Sequence, residues 1–514
     1  MIAGATGYAA KRENVVAGIA LAAFVLFAGI GVANHEMWRD EHHAWLIARD
    51  AATPLDVIRN LRWDMNPALF HLSLWPVTRV THDPRAMQWL NLAFATLAAW
   101  LLLRHAPLRP ALRLLAVFGY YLAYEYAVIS RVYALGALFI FALCTLWTRR
   151  AERPSAIGIL LALLANTSLY GVIAAGFFLI LLAVDIRARS ERVKAFLGSA
   201  ALGVAGVAIS LLQSLPRGDN PFAMGKATLA FDPERLATAV RLLASTFVPI
   251  PDAGHADWWN SNIVTGRSTI GDATLALAGV ALVAWLLRHA PAIFAAWLAA
   301  TGAIMLVAYQ GGFASMRHGG YLIVLLIAAF WIAGSANETI FDDGRRRLAL
   351  LLVFAIGAAG AATAWLEELA TPFSAVEQTA GWLRDNGLDH VPIAGADDFA
   401  VASLASLLDL DRIYYPQRGE WGTFVSWDPK RRRDTTLGEA TADVASRVAA
   451  SGEPMLFVLT RPPTRSGPQG AVVIRDAMIA PGVRARLLAA FTDSVVDDEK
   501  MFVYEVAPVA PRPR

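Results

Sequence analysis

The chain has one cysteine, Cys144, set in an apolar run. No disulfide can form within it, and neither a CxxC metal site nor a thiol nucleophile has support. Charge is scarce too: 17% of the 514 residues are Asp, Glu, Lys or Arg, against roughly a quarter in soluble proteins. The deficit lies before about Glu367, so the average hides an apolar body and a normally charged tail. The tail has no GxGxxG, no P-loop and no GxSxG, and nothing in it reads as a nucleotide-binding or hydrolase domain. No internal repeat is apparent, which weighs against an inverted-repeat transporter. The net charge of +3 and pI near 9.0 do not mark a nucleic-acid binder. The basic residues sit in short clusters between apolar runs, where orientation signals belong.

What is abundant is apolar length. Hydrophobic residues make up 56% of the chain, and its mean hydropathy is +0.46. A bilayer core needs about twenty mostly apolar residues per helix, fewer where neighbours shield it. That yardstick predicts about eleven spans, near 15–34, 86–103, 112–128, 132–147, 155–166, 170–184, 195–213, 272–287, 292–309, 319–335 and 348–365. The first lacks a small-residue cleavage site and reads as a retained helix. Residues 155–184 are too long for one span and carry basic residues at both ends. They divide at Asn166-Thr167-Ser168.

Orientation follows from the basic residues of the short connections. Lys11 and Arg12 precede the first span. Arg104, Arg109 and Arg113 follow the second, and Arg149, Arg150 and Arg153 the fourth. Arg187, Arg189, Arg192 and Lys194 follow the sixth, Arg288 the eighth, and Arg345, Arg346 and Arg347 the tenth. With an odd number of spans all of these fall on one side. The expectation is a polytopic α-helical membrane protein, its body 1–370, with external loops 35–85 and 214–271 and a soluble α/β domain at 371–514. The amino terminus is expected to be cytoplasmic and the tail extracytoplasmic. Alanine- and arginine-rich usage points to a high-GC bacterium, hence to its inner membrane. In the tail, helices are expected at 374–386, 399–408, 437–450 and 482–491, and strands at 390–394, 412–415, 455–460 and 501–506.

The densest chemistry lies just past the first span, in Trp38-Arg39-Asp40-Glu41-His42-His43-Ala44-Trp45. Two adjacent carboxylates can serve as a general base and its partner. They suit a helix start equally, Asp40 as N-cap and Glu41 in the first turn. His42 and His43, with His35 nearby, are candidate ligands for a divalent metal. Adjacent histidines on a helix point about 100° apart, however, and no His-x-x-x-His pair is present. Arg131, where the third span turns into the fourth, and Arg317-His318, opening the tenth, can hold a phosphate through bidentate bonds. The plainer readings are an interfacial anchor, or an Arg131–Glu125 pair. Trp63, Asn66, Trp258 and Trp259 can contact sugar rings and hydroxyls. The tryptophans fit an interfacial belt as well.

Together Asp40-Glu41, Asn66-Pro67, Ser130-Arg131-Val132-Tyr133-Ala134-Leu135 and Arg317-His318 resemble the GT-C superfamily of integral-membrane glycosyltransferases. The branch of lipid A aminoarabinose transferases and protein O-mannosyltransferases is the nearest in pattern, over about residues 10–370. Many relatives carry His-Pro-Pro where this chain has Met65-Asn66-Pro67, so histidine contacts there do not transfer. The resemblance implies sugar transfer, with inversion, from a polyprenyl-phosphate donor to an extracytoplasmic lipid, glycan or protein. Asp40 would take the acceptor's proton and Glu41 would position the acceptor or tune Asp40. Arg131, Arg317, His318 and Tyr133 would hold the lipid phosphate. It implies no organic cofactor; some members of the superfamily use a metal. A transporter or flippase of lipid-linked saccharides is the alternative, and an envelope scaffold built around the tail a third.

Overall fold

In lipid an apolar run satisfies its backbone groups by coiling into an α-helix, and among the described residues the regular elements of the body are helices. The computed structural model describes residues 2–188, 192–215, 230–311, 315–337, 343–467 and 470–509. Arg189, residues 216–229 of the second loop and residues 312–314 before Arg317 lie outside the described residues, as do the side chains of Lys11 and Arg12.

The body comprises α1 (Ile2–Asn34), α2 (Arg39–Arg49), α3 (Pro54–Asn60), α4 (Leu69–Thr78), α5 (Arg85–His105), α6 (Pro110–Val117), α7 (Tyr133–Leu146) and α8 (Pro154–Ala165). It continues with α9 (Leu169–Ala188), α10 (Val193–Ser214), α11 (Pro233–Phe247), α12 (Thr269–Leu286), α13 (Pro291–Gly311), α14 (Met316–Ala336) and α15 (Gly344–Ala370). Among the described residues eight helices are long and apolar enough to cross a membrane: α1 from Glu13, α5, α9, α10, α12, α13, α14 and α15. Each matches an expected span.

The other three expected spans take different forms. Over 112–128 the chain breaks: α6 stops at Val117, Gly119 is extended, and Tyr120–Glu125 forms a wide π-helical turn. That turn lets Tyr120 donate to Glu125 at 2.8 Å and Tyr124 donate to Glu368 of α15 at 2.6 Å. α7 has 14 residues and α8 has 12; as α-helices alone these rise about 21 and 18 Å, short of a hydrocarbon core of about 30 Å. Beyond its first turn α14 is apolar on all faces and buried along most of its length, the pattern of a central helix. At its start a Cβ on Gly320 would lie 2.3 Å from the Tyr126 hydroxyl. The same hydroxyl donates to the Arg317 carbonyl at 2.7 Å, so the missing side chain seats the first turn of α14 against the π turn.

The tail adds α16 (Val376–Asp385), β1 (Ile393–Gly395), α17 (Asp398–Val401), α18 (Ser403–Leu407), β2 (Ile413–Tyr415), β3 (Glu420–Gly422) and α19 (Leu437–Ser451). Then come β4 (Met455–Leu459), β5 (Thr464–Gly467), β6 (Gly470–Val473), β7 (Asp476–Ala480), β8 (Val483–Phe491) and β9 (Met501–Pro508). A seven-stranded sheet runs β3-β2-β1-β4-β9-β8-β7, with β1 parallel to β2 and β4 and the other pairs antiparallel. β5 and β6 form a separate hairpin.

One expected tail helix is a strand. Residues 482–491, expected as a helix and rich in Ala, Leu and Arg, form β8. Gly482 turns the chain at φ 72°. Val483 and Ala485 then face inward while Arg484 and Arg486 face out. Pairing to β7 and β9 on both sides outweighs the modest helical preference of those residue types.

The tail is not self-contained. Leu46 of α2 is fully buried in the tail's own apolar core, beside Val376, Leu404 and Val503. Leu46→Ala should cost about 2–5 kcal/mol and loosen the seam between body and tail. A lower melting temperature in detergent and faster proteolysis of the tail are expected; an unchanged melt would show that α2 does not carry the docking.

Candidate active site

α2 begins at Arg39 with Trp38 in the N-cap position, so Asp40 lies inside the first turn and is not the cap. Successive residues on a helix diverge by about 100°, and residues 40–43 separate accordingly. Glu41 turns inward and is fully buried. Its carboxylate accepts the Trp38 N–H at 3.1 Å, the Ser130 N–H at 2.6 Å and an N–H from His35 at 2.9 Å. It does not line the cavity described below, so the expected acceptor-binding role gives way to a structural one. His42 faces the tail, its Nδ1 2.5 Å from Ser406 Oγ, and burial pushes its imidazole down to about 4. His43 faces the other way, with Nε2 2.9 Å from Asp64 Oδ1. The two histidines share no ligand position, and among the described residues no three His, Cys, Asp or Glu side chains group as a metal site.

Asp40 faces two arginines from distant parts of the chain. Arg131 Nη1 donates to the Asp40 carbonyl at 2.6 Å, and Nη2 lies 3.4 Å from Asp40 Oδ2. Arg317 Nη2 lies 3.7 Å from the same oxygen. Burial alone would raise the Asp40 pKa, but Arg131, Arg317, Arg39 and His43 together hold it below the usual carboxylate range. Arg131 does not pair with Glu125, which accepts from Tyr120 and, at 3.1 Å, from Trp259 Nε1. Arg317 is packed over the rings of Trp38 and Trp259, 5.0 and 5.4 Å from their centroids. Arg131 Nε and Arg317 Nε and Nη1 are buried without a hydrogen-bond partner among the described residues. Such unmet donors carry a desolvation penalty that an anion would relieve.

A cavity of about 760 Å³ opens beside this cluster. Arg39, Asp40, His43, Trp63, Asp64, Asn66, His71 and Arg131 line it from the body, with Leu169 of α9 and Val307 and Gln310 of α13. The tail closes it with Phe399, Val425, Trp427, Arg431 and Asp498. Asp40, Arg131, Trp63 and Asn66, expected at a site, are therefore in its wall. Arg317, Tyr133, His318, Trp258 and Trp259, also expected there, are not. Tyr133 stacks on Tyr126 and His318 on Tyr170. Trp258 and Trp259 are buried, Trp258 donating to Thr371 at 3.1 Å. Those two brace the start of the tail and offer no face to a sugar.

Two groups of lining residues were not assigned a role from sequence. Asp64 and His71 come to His43 because the chain turns back at Met65, which adopts φ 56°. The proximity of two histidines to an acid within 43–71 was a legible but unspecific signal. The tail residues Phe399, Trp427, Arg431 and Asp498 gave no signal, since only docking brings them there. Arg39 secures that docking, pairing with Asp498 and donating its N–H to Glu499 at 2.8 Å. No protein-family model matches the chain, and no curated protein matches it.

Beneath the site His35 bridges two buried acids, Nε2 to Glu41 at 2.9 Å and Nδ1 to Glu368 at 2.8 Å. Burial lowers its pKa, but the two carboxylates outweigh burial and raise it well above the ordinary value. A group raised in the folded state stabilises the fold fully below its unfolded pKa, about 6.5, and that stabilisation is lost as pH rises through the folded value. The melting temperature in detergent should therefore fall on the alkaline side of neutrality. His35→Gln should lower it at pH 6 and flatten this dependence; an equally steep profile in that variant would refute the assignment.

Proposed function

We infer that the chain is a membrane glycosyltransferase that moves a sugar from a polyprenyl-phosphate donor to an extracytoplasmic acceptor, with inversion, on a GT-C-like body. One observation carries the reading: Arg131 and Arg317, with N–H groups lacking partners, converge on Asp40 beside a cavity bounded by two candidate spans and the tail. A lipid phosphate suits that arginine pair, because guanidinium forks match phosphate oxygens. Charge develops on the phosphate oxygen as the sugar departs, and preformed donors stabilise it without a separate acid. Leu169 and Val307 give the cavity an apolar stretch of wall for the start of the polyprenyl chain. The sugar occupies the cavity, and the acceptor arrives under the tail, beside Trp427 and Trp63.

An eleven-pass topology belongs to the same proposal, with α6 plus the π turn, α7 and α8 completing the eight long helices. The basic connections after α5, α7, α9, α12 and α14 support a tail facing away from the cytoplasm. In a bacterium that makes the protein an inner-membrane enzyme with a periplasmic tail. No cofactor is required by this scheme, and a chelator series tests for a metal.

Purified full-length protein in detergent, given synthetic polyprenyl-phosphate sugars, should release polyprenyl phosphate and transfer the sugar. Arg131→Ala and Arg317→Ala should each lower the rate by about 10²–10³-fold, and Asp40→Asn should abolish transfer. Movement of the lipid-linked sugar across proteoliposomes without cleavage would establish the transporter alternative and overturn this reading.

A further inference from the structure

A base must present a lone pair to the acceptor and be basic enough to take its proton near the working pH. Asp40 meets the second requirement poorly. Its Oδ2 lies 3.4 and 3.7 Å from two guanidiniums, and they favour the carboxylate over the carboxylic acid. The same wall holds a better-placed group. Resting on the glycosyltransferase reading above, we propose that His43, oriented by Asp64, takes the acceptor's hydroxyl proton, and that Asp40 instead positions Arg131 and Arg317.

The geometry of the pair is specific. His43 Nε2 stands 2.9 Å from Asp64 Oδ1. An ionised carboxylate can only accept, so Nε2 carries the proton and the lone pair falls on Nδ1. Among the described residues Nδ1 has no hydrogen-bond partner, and both His43 and Asp64 line the cavity. Asp64 is itself oriented: Asn66 Nδ2 donates to its Oδ2 at 3.0 Å and to its carbonyl at 3.2 Å. The turn that allows this places Met65 at φ 56°, a conformation that a non-glycine residue adopts at some cost. His71, behind Asp64, is pushed by burial down to about 4. It stays neutral and leaves the charge of Asp64 to His43. Asn66, expected to bond sugar hydroxyls, here orients the acid that orients the base.

The step balances. The acceptor oxygen forms a bond to the anomeric carbon from the face opposite the phosphate. The bond from that carbon to the phosphate oxygen breaks, and its electron pair leaves on polyprenyl phosphate beside Arg131 and Arg317. The acceptor's proton passes to His43 Nδ1, and the resulting imidazolium, paired with Asp64, releases it to water through the open side of the cavity.

The test uses full-length protein in detergent with a polyprenyl-phosphate sugar that the wild type turns over, and polyprenyl phosphate as the binding probe. His43→Ala and His43→Gln should lower kcat by about 10²–10⁴-fold while binding polyprenyl phosphate as the wild type does. Asp64→Asn should lower kcat by about 10²-fold or more. Added imidazoles should partly restore His43→Ala, at rates that follow their basicity, a response that a merely structural strap between α2 and residues 63–66 would not give. Turnover by His43→Gln within about threefold of wild type would overturn the proposal. So would an inactive, folded His43→Ala that no imidazole rescues. If the wild type releases polyprenyl phosphate from no donor, it is the glycosyltransferase reading that fails.

Discussion

The buried carboxylate of Glu41 joins three parts of the chain. It accepts from the Trp38 N–H, from the Ser130 N–H and from His35, and His35 passes the connection on to Glu368 near the end of α15. A carboxylate removed from water is tolerable when its lone pairs are met and a cation stands beside it; Glu41 has three N–H donors and shares His35 with Glu368. The start of α2, the 130–131 turn and the end of α15 are therefore fixed relative to one another. Arg131 follows Ser130 directly and returns the contact by binding the carbonyl of Asp40 at 2.6 Å. Each neighbouring pair, Asp40-Glu41 and Ser130-Arg131, thus holds the other at two points.

The divergence of adjacent side chains on a helix turns a four-residue cluster into four separate devices. Asp40 meets the arginines, Glu41 the core, His42 the tail and His43 the acid Asp64. The same divergence aims the two histidines of the cluster at different partners. Charge separation follows as well. His35 is held as a cation by two carboxylates, whereas His42 and His71 are kept neutral by burial.

α2 also belongs to both halves of the molecule. Leu46 fills the tail's core, and Arg49 donates to the carbonyls of Ala405 and Leu410 at 2.9 and 3.1 Å. Glu36 receives the Phe373 N–H at 2.8 Å. The tail consequently closes the cavity from a fixed position, contributing Trp427 and Arg431, the latter held bidentately by Asp398 at 2.7 Å. The tail thereby supplies part of the cavity wall without nucleotide or hydrolase motifs of its own.

The sequence by itself determined the membrane character, the eight long helices and most of the tail's elements, and it singled out Asp40, Arg131 and Arg317, which the fold brings together. Long apolar runs dictate helices in lipid whatever surrounds them, and charge near such runs is costly enough to stand out. Tertiary structure alone decided the rest. The broken stretch at 112–128 depends on where Tyr120 and Tyr124 find acids. β8 depends on two neighbouring strands, which no local preference of Ala, Leu and Arg reveals. Glu41 and Asp40 are chemically alike, and only the direction each takes from the helix makes one a structural tie and the other a wall of the cavity. Asp64 reaches His43 through one left-handed residue, and Trp259 lies beneath Arg317 through packing. Residue type and hydropathy are properties of a run of chain; the partner that a side chain meets is a property of the whole fold.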